Sequence, residues 1–164
     1  MRRILTVLAL VLALGACGFH PRAQLLIPAE YGAMRVESGD PYDPLALGLT
    51  RALERSGNRI AGSGEPATVL KVSSQTWDTS PVSVDQFAQV REYATRYRVE
   101  FVLVGSDEKP LGEPQRIELT REYSFDQNAS AGSPAEQELI RKELRRDMEA
   151  AILRRVDVLL RPKR

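Results

Sequence analysis

A single cysteine, Cys17, rules out an intramolecular disulfide. A single histidine, His20, leaves no pair of imidazoles for a zinc site. A Ser-His-Asp triad built on His20 would need the N-terminal segment to fold back into the domain. No phosphate-cradling glycine loop follows a strand pattern. Gly62-Ser63-Gly64 lacks the lysine and the helix start that would make it one. Neither sign of charge dominates: 23 Lys and Arg face 22 Asp and Glu, which is not the footprint of a nucleic-acid binder. Past residue 17 no apolar run approaches the ~20 residues that span a bilayer. Carboxylates are plentiful, but no pair is set apart by spacing. These absences weigh against an enzyme and against a metal or small-molecule cofactor.

What is present begins at the N-terminus. Met1-Arg2-Arg3 opens a run of about 13 apolar or small residues, Ile4 to Ala16, and Leu14-Gly15-Ala16-Cys17 closes it. A basic start, a short apolar stretch and small residues make a secretory signal. The cysteine after them makes it the signal of a bacterial lipoprotein. Residues 1–16 are then removed, diacylglycerol is attached to the Cys17 thiol, and an acyl chain caps the new N-terminus. One acyl chain holds a protein reversibly, while two or more hold it firmly at about 0.8 kcal/mol per buried methylene. Gly18 rather than Asp follows the cysteine, which directs such proteins to the outer membrane, on its periplasmic side. The mature chain of 148 residues carries 21 basic and 22 acidic side chains. That length supports one domain with a real core.

Residues 17–33, with Pro21, Pro28 and Gly32, are expected to form a lipidated tether, leaving 34–164 as a single domain. Arg35 to Glu37 begins a first strand. Asp43 is a helix N-cap with Pro44 at the first position, and Leu45, Leu49, Ala52 and Leu53 share one face up to Gly57-Asn58. A strand follows over 67–79, with poor alternation, and Pro81 is expected to break it. Tyr97, Val99, Phe101 and Leu103 alternate with polar residues along the clearest strand, 89–105. Ile117, Leu119, Tyr123 and Phe125 alternate likewise, and Arg121 breaks that parity, so it is expected to snorkel at the sheet edge. Ser133-Pro134-Ala135-Glu136 is a capping box. A long helix then carries the stripe Ile140, Leu144, Met148, Ala151, Ile152, Val156 and Leu159. The expected fold class is α+β, with two helices packed on one face of a four-stranded, mainly antiparallel sheet in the order βαβββα.

Arg91, Arg96 and Arg98 fall on or near the long strand, with Lys71 on the preceding one. Guanidinium groups grip phosphate with paired hydrogen bonds, so these four are candidates for a phosphate or glycolipid contact. The plainer reading is a solvated face balanced by Glu92, Glu100 and Glu118.

The mature start, Cys17-Gly18-Phe19-His20-Pro21-Arg22, resembles the opening of the LPS-assembly lipoprotein LptE family. Its start motif here is Gly18, Phe19, His20 and Arg22 after the lipidated cysteine. Ser38-Gly39-Asp40-Pro41 before the Pro44-Leu45 helix start, Glu92-Tyr93, and Arg121-Glu122-Tyr123-Ser124-Phe125-Asp126 are similar as well. The resemblance implies a non-catalytic lipoprotein that plugs the outer-membrane barrel LptD, assists its assembly, and helps deliver lipopolysaccharide to the outer leaflet. It implies LptD and lipopolysaccharide as partners, the latter held by basic residues in loops flanking the sheet. The loops Ser80 to Ala88 and Asp126 to Ser133 contain no Lys or Arg. Arg91, Arg96, Arg98 and Lys71 are therefore the candidates for that contact. The alternative the residues leave open is a lipoprotein module for another envelope component, such as peptidoglycan or a different outer-membrane assembly machine.

Overall fold

The computed structural model describes residues 27–124 and 134–161. The signal (1–16), Cys17, Gly18, Phe19, His20, Arg22, the segment 125–133 and Ser133 of the expected capping box lie outside the described residues. The described part of the expected tether does not stand clear of the domain. Ile27 and Tyr31 pack against the core, and the Tyr31 carbonyl accepts the Thr68 hydroxyl at 2.7 Å.

Four strands, β1 (Met34–Glu37), β2 (Thr68–Val84), β3 (Val90–Val104) and β4 (Gln115–Ser124), form one sheet in the order β1-β2-β3-β4. β1 runs parallel to β2, and the other two pairings are antiparallel. The crossover between β1 and β2 carries helix α1 (Pro44–Arg55), and helix α2 (Pro134–Leu160) follows β4. This is the expected βαβββα order. Both helices cover the same face of the sheet, and their apolar residues join Leu70, Val72, Tyr97, Val99, Phe101 and Leu103 in one core.

Local chemistry explains each boundary. The Asp43 carboxylate accepts the Leu45 and Ala46 N–H groups at 3.0 and 3.4 Å, satisfying donors that a helix start leaves bare. At the other end the Asn58 N–H donates to the Leu53 carbonyl and the Gly57 N–H to that of Glu54. Gly57 takes a φ of +84°, as this glycine-dependent cap requires. Leu45, Leu49 and Leu53 are fully buried on one side of α1. Each such side chain contributes about 1.5–3 kcal/mol.

The weak alternation of β2 has a physical origin. The register with β3 slips between Val72 and Ser74, where β2 carries one extra residue. A one-residue slip exchanges the two faces of a strand. Leu70 and Val72 therefore share the helix-covered face with Gln75 and Trp77, whose β3 partners are Val99 and Tyr97. Pro81 does not end the strand, contrary to expectation: β2 continues to Val84, with Pro81 opposite Tyr93 next to a second slip. β1 pairs only with Thr68 to Lys71, so the far half of β2 is an edge, where a missing N–H is tolerated.

Along α2 the buried residues are Ile140, Leu144, Met148, Ile152, Val156 and Leu160, each four after the last. Four residues turn about 400°, so the stripe drifts by roughly 40° per step and roughly 200° in all. The helix thus presents a rotating face as it crosses the twisted sheet. Ala151 and Leu159, counted in the expected stripe, are only half-buried, and Leu160 takes the last core position. Arg121 lies on the edge strand β4 with its side chain half-exposed. It meets Asp147 Oδ2 at 3.0 Å and Glu143 Oε2 at 3.6 Å, clasping β4 to α2.

Candidate functional site

The sheet face away from the helices is polar and laced with cross-strand ion pairs. Arg98 stands opposite Glu118 and donates through Nε and Nη2 to Oε2 at 2.9 and 2.6 Å. Arg96 stands opposite Asp78, with Nη1 and Oδ2 3.5 Å apart. Arg116 reaches Glu100 at 3.7 Å. Directly opposed side chains on one sheet face lie close enough to pair, and exposed pairs of this kind contribute about 0.2–1 kcal/mol each. Arg96 and Arg98 share a hollow of 270 Å³ with Thr76 and Asp78.

The four cations named from the sequence are only partly brought together. Arg96 and Arg98 are neighbours. Lys71 is exposed near the other end of the face, opposite Val102, in an open hollow of 610 Å³ that also contains Arg35, Glu37, Glu65 and Glu108. Lys71 makes no ion pair among the described residues, whereas Arg96 and Arg98 are each held by a carboxylate. Arg91 sits at the tip of the β2–β3 hairpin and grips Asp85 Oδ2 through Nε and Nη2 at 2.9 and 2.6 Å. Asp85 Oδ1 also accepts the Phe87 and Gln89 N–H groups. The Gln89 and Phe87 donors, aided by Arg91, hold its carboxyl below the ordinary value of 3.8.

Three features escaped the sequence reading. The hairpin tip exposes Val82, Val84 and Phe87, the last at 73%. Alternation at Val82 and Val84 is visible in the sequence, but not that these side chains stay exposed. Second, Trp77 stacks on Tyr97, with centroids 3.7 Å apart and planes 8° apart, and Arg141 lies 5.8 Å from the Trp77 centroid. The Tyr97 hydroxyl donates to Gln75 Oε1 at 2.6 Å, and Gln75 Nε2 donates to Asp43 Oδ2 at 2.6 Å. This chain ties β3 and β2 to the N-terminus of α1. Burial, reinforced by the Asp43 charge, pushes the Tyr97 phenol well above its ordinary value, so it stays a neutral donor. Third, Glu149 of α2 is half-buried against Gly48 of α1, where an added Cβ would come within 2.1 Å of Oε1.

Among the described residues no group of three or more His, Cys, Asp or Glu could hold a metal ion, and no helix is long and apolar enough to cross a membrane. The arrangement supplies hydrogen-bonding, charge-paired surfaces around a closed core.

Residues 31–156 match the model of the LptE family, described as lipopolysaccharide-assembly. This chain belongs to the LptE family. The LptE match takes in all four strands, α1 and most of α2. The LPS-assembly lipoprotein LptE of Photorhabdus laumondii is 29% identical over 159 residues, covering 94% of this chain and 85% of that protein. The protein of the same name from Pectobacterium atrosepticum is 28% identical over 152 residues, covering 89% of this chain and 79% of its own length. Among solved structures, the rare lipoprotein B from Shewanella oneidensis superposes with a TM-score of 0.66 at 25% identity, covering 76% of this chain and 92% of that one. Lipoprotein B from Nitrosomonas europaea shares the fold, with a TM-score of 0.72 at 22% identity, covering 85% and 90%. LptE is thus a lipopolysaccharide-assembly family and not a known family of enzymes, and the resemblance read from the short motifs is met by a match across the domain.

Proposed function

We propose that this protein is a lipid-anchored, non-catalytic component of the machine that assembles lipopolysaccharide at the outer membrane. In this reading Cys17 carries the diacylglycerol and N-acyl chains and holds the domain at the periplasmic side. The folded domain plugs the LptD barrel, assists its assembly and helps pass lipopolysaccharide outward. The observation that carries the reading is the LptE match over residues 31–156. Physical chemistry supports it: a barrel lumen is polar, and the outer sheet face offers the Arg98–Glu118, Arg96–Asp78 and Arg116–Glu100 pairs rather than an apolar surface. The relatives named LPS-assembly lipoprotein LptE add support for the substrate class.

Depletion tests the assembly role. Lowering the amount of this protein lowers the amount of correctly folded barrel in outer membranes, and an unchanged level would remove the role. Direct contact with lipopolysaccharide is assigned to Arg91, Arg96, Arg98 and Lys71. Of these, Lys71 is unspent, and the arginines exchange a carboxylate for a phosphate. Arg91→Asp together with Arg96→Asp is expected to reduce lipopolysaccharide retention by the purified protein several-fold. Retention equal to that of the native chain would take both residues out of the contact.

A further inference from the structure

Apart from Lys71, the cations of the outer sheet face and those of the helices are used differently. On the outer sheet face Arg35, Arg96, Arg98 and Arg116 each have a carboxylate within 4.0 Å. On the helix side, Arg51 and Arg55 of α1 and Arg141, Lys142, Arg145, Arg146, Arg154 and Arg155 of α2 form no ion pair among the described residues. Arg55 Nε donates to the Arg51 carbonyl at 3.2 Å. The carboxylates Glu143 and Asp147 of α2 are taken by Arg121 on the β4 flank.

Four of these arginines act on one acid. Arg145, Arg55, Arg51 and Arg146 all act on Glu149, yet burial still leaves its carboxyl above the ordinary 4.5. Gly48 makes the arrangement possible, because it lets the Glu149 side chain lie against α1. The result is a set of cations on two helices acting on one half-buried acid, with exposed Glu54 next to Arg55.

We propose that the surface formed by Arg51, Arg55, Arg145 and Arg146 is the docking face for an acidic surface on the barrel partner. This rests on the plug reading and adds a charged contact on the helix side to the paired sheet face that suits a polar lumen. Guanidinium forks match carboxylates with paired hydrogen bonds. Complementary charge sets orientation and encounter rate. The sheet-face arginines would have to give up a partner first; the helix-side ones do not. A lipid surface fits less well. Helices that lie on lipid place apolar side chains among the acyl chains, and Leu49, Leu53, Leu144 and Met148 are already in the core.

The test uses the full lipoprotein, purified from detergent-solubilised outer membranes, with the copurified barrel quantified. The native chain retains the barrel, less so as salt screens the contact. Arg51→Glu, Arg55→Glu, Arg145→Glu and Arg146→Glu together lower recovery by roughly tenfold or more. Should circular dichroism show that this variant is unfolded, the fourfold Arg→Gln variant is read instead, with a loss of roughly threefold. Arg154→Glu with Arg155→Glu, on the other flank of α2, leaves recovery unchanged. Native recovery by a folded variant overturns the docking face, as does an equal loss with the control. A variant that keeps the barrel but no longer sediments with phosphatidylglycerol vesicles also overturns it, in favour of lipid. No barrel with the native chain overturns the plug reading as well.

Discussion

Glu149 shows how one residue ties packing to charge. Burial raises its carboxyl above 4.5 against the pull of four arginines. Between pH 4.5 and that raised value, the folded chain holds a proton that the unfolded chain has lost. The contribution to stability is complete below the unfolded value and fades as pH rises through the folded one. Glu149→Gln is therefore expected to stabilise the domain at pH 7, by less than about 1 kcal/mol because the group is half-exposed. It also flattens the decline in stability between acid and neutral pH. Urea unfolding at the two pH values measures both, and an unaltered pH slope would contradict the assignment. At this scale the sequence was legible where chemistry is local. Asp43 before Pro44 announced its cap, because its hydrogen bonds run only two and three residues ahead. Glu149 was not, since the glycine that accommodates it lies 101 positions earlier on another helix. Glu118, which holds Arg98, was among the balancing acids read from the sequence, but Asp78, which holds Arg96, was not, since cross-strand register alone brings it opposite.

Elements were legible where periodicity was undisturbed. Tyr97, Val99, Phe101 and Leu103 alternate without a slip, and all four are buried. β2 was blurred by its extra residue after Val72, which moves Trp77 to the face of Leu70. α2 carries a four-residue repeat, and the drift of that repeat separates core from surface near its C-terminus. Ile152→Ala is expected to cost about 2–5 kcal/mol, as truncation in a closed core does. Val158→Ala, whose side chain is 63% exposed, stays within about 0.5 kcal/mol of the native chain. Thermal or urea unfolding of the two variants decides. Similar losses in both would mean that the stripe is misplaced.

At the scale of the molecule, two helices seal one side of the sheet, a charge-paired face forms the other, and the hairpin tip leaves Phe87 exposed. LptE membership and the architecture were within reach of the sequence, through the Cys17 start motif and the strand–helix order. The contacting face was not, because it depends on which cations remain unpaired after folding. In the proposed function this lipoprotein works as the plug of an outer-membrane barrel. Isolation from outer membranes in mild detergent is expected to yield a stable complex with one large barrel protein, with the lipoprotein shielded from added protease. A lipoprotein recovered free of any barrel, and cleaved as readily as the isolated domain, would contradict it.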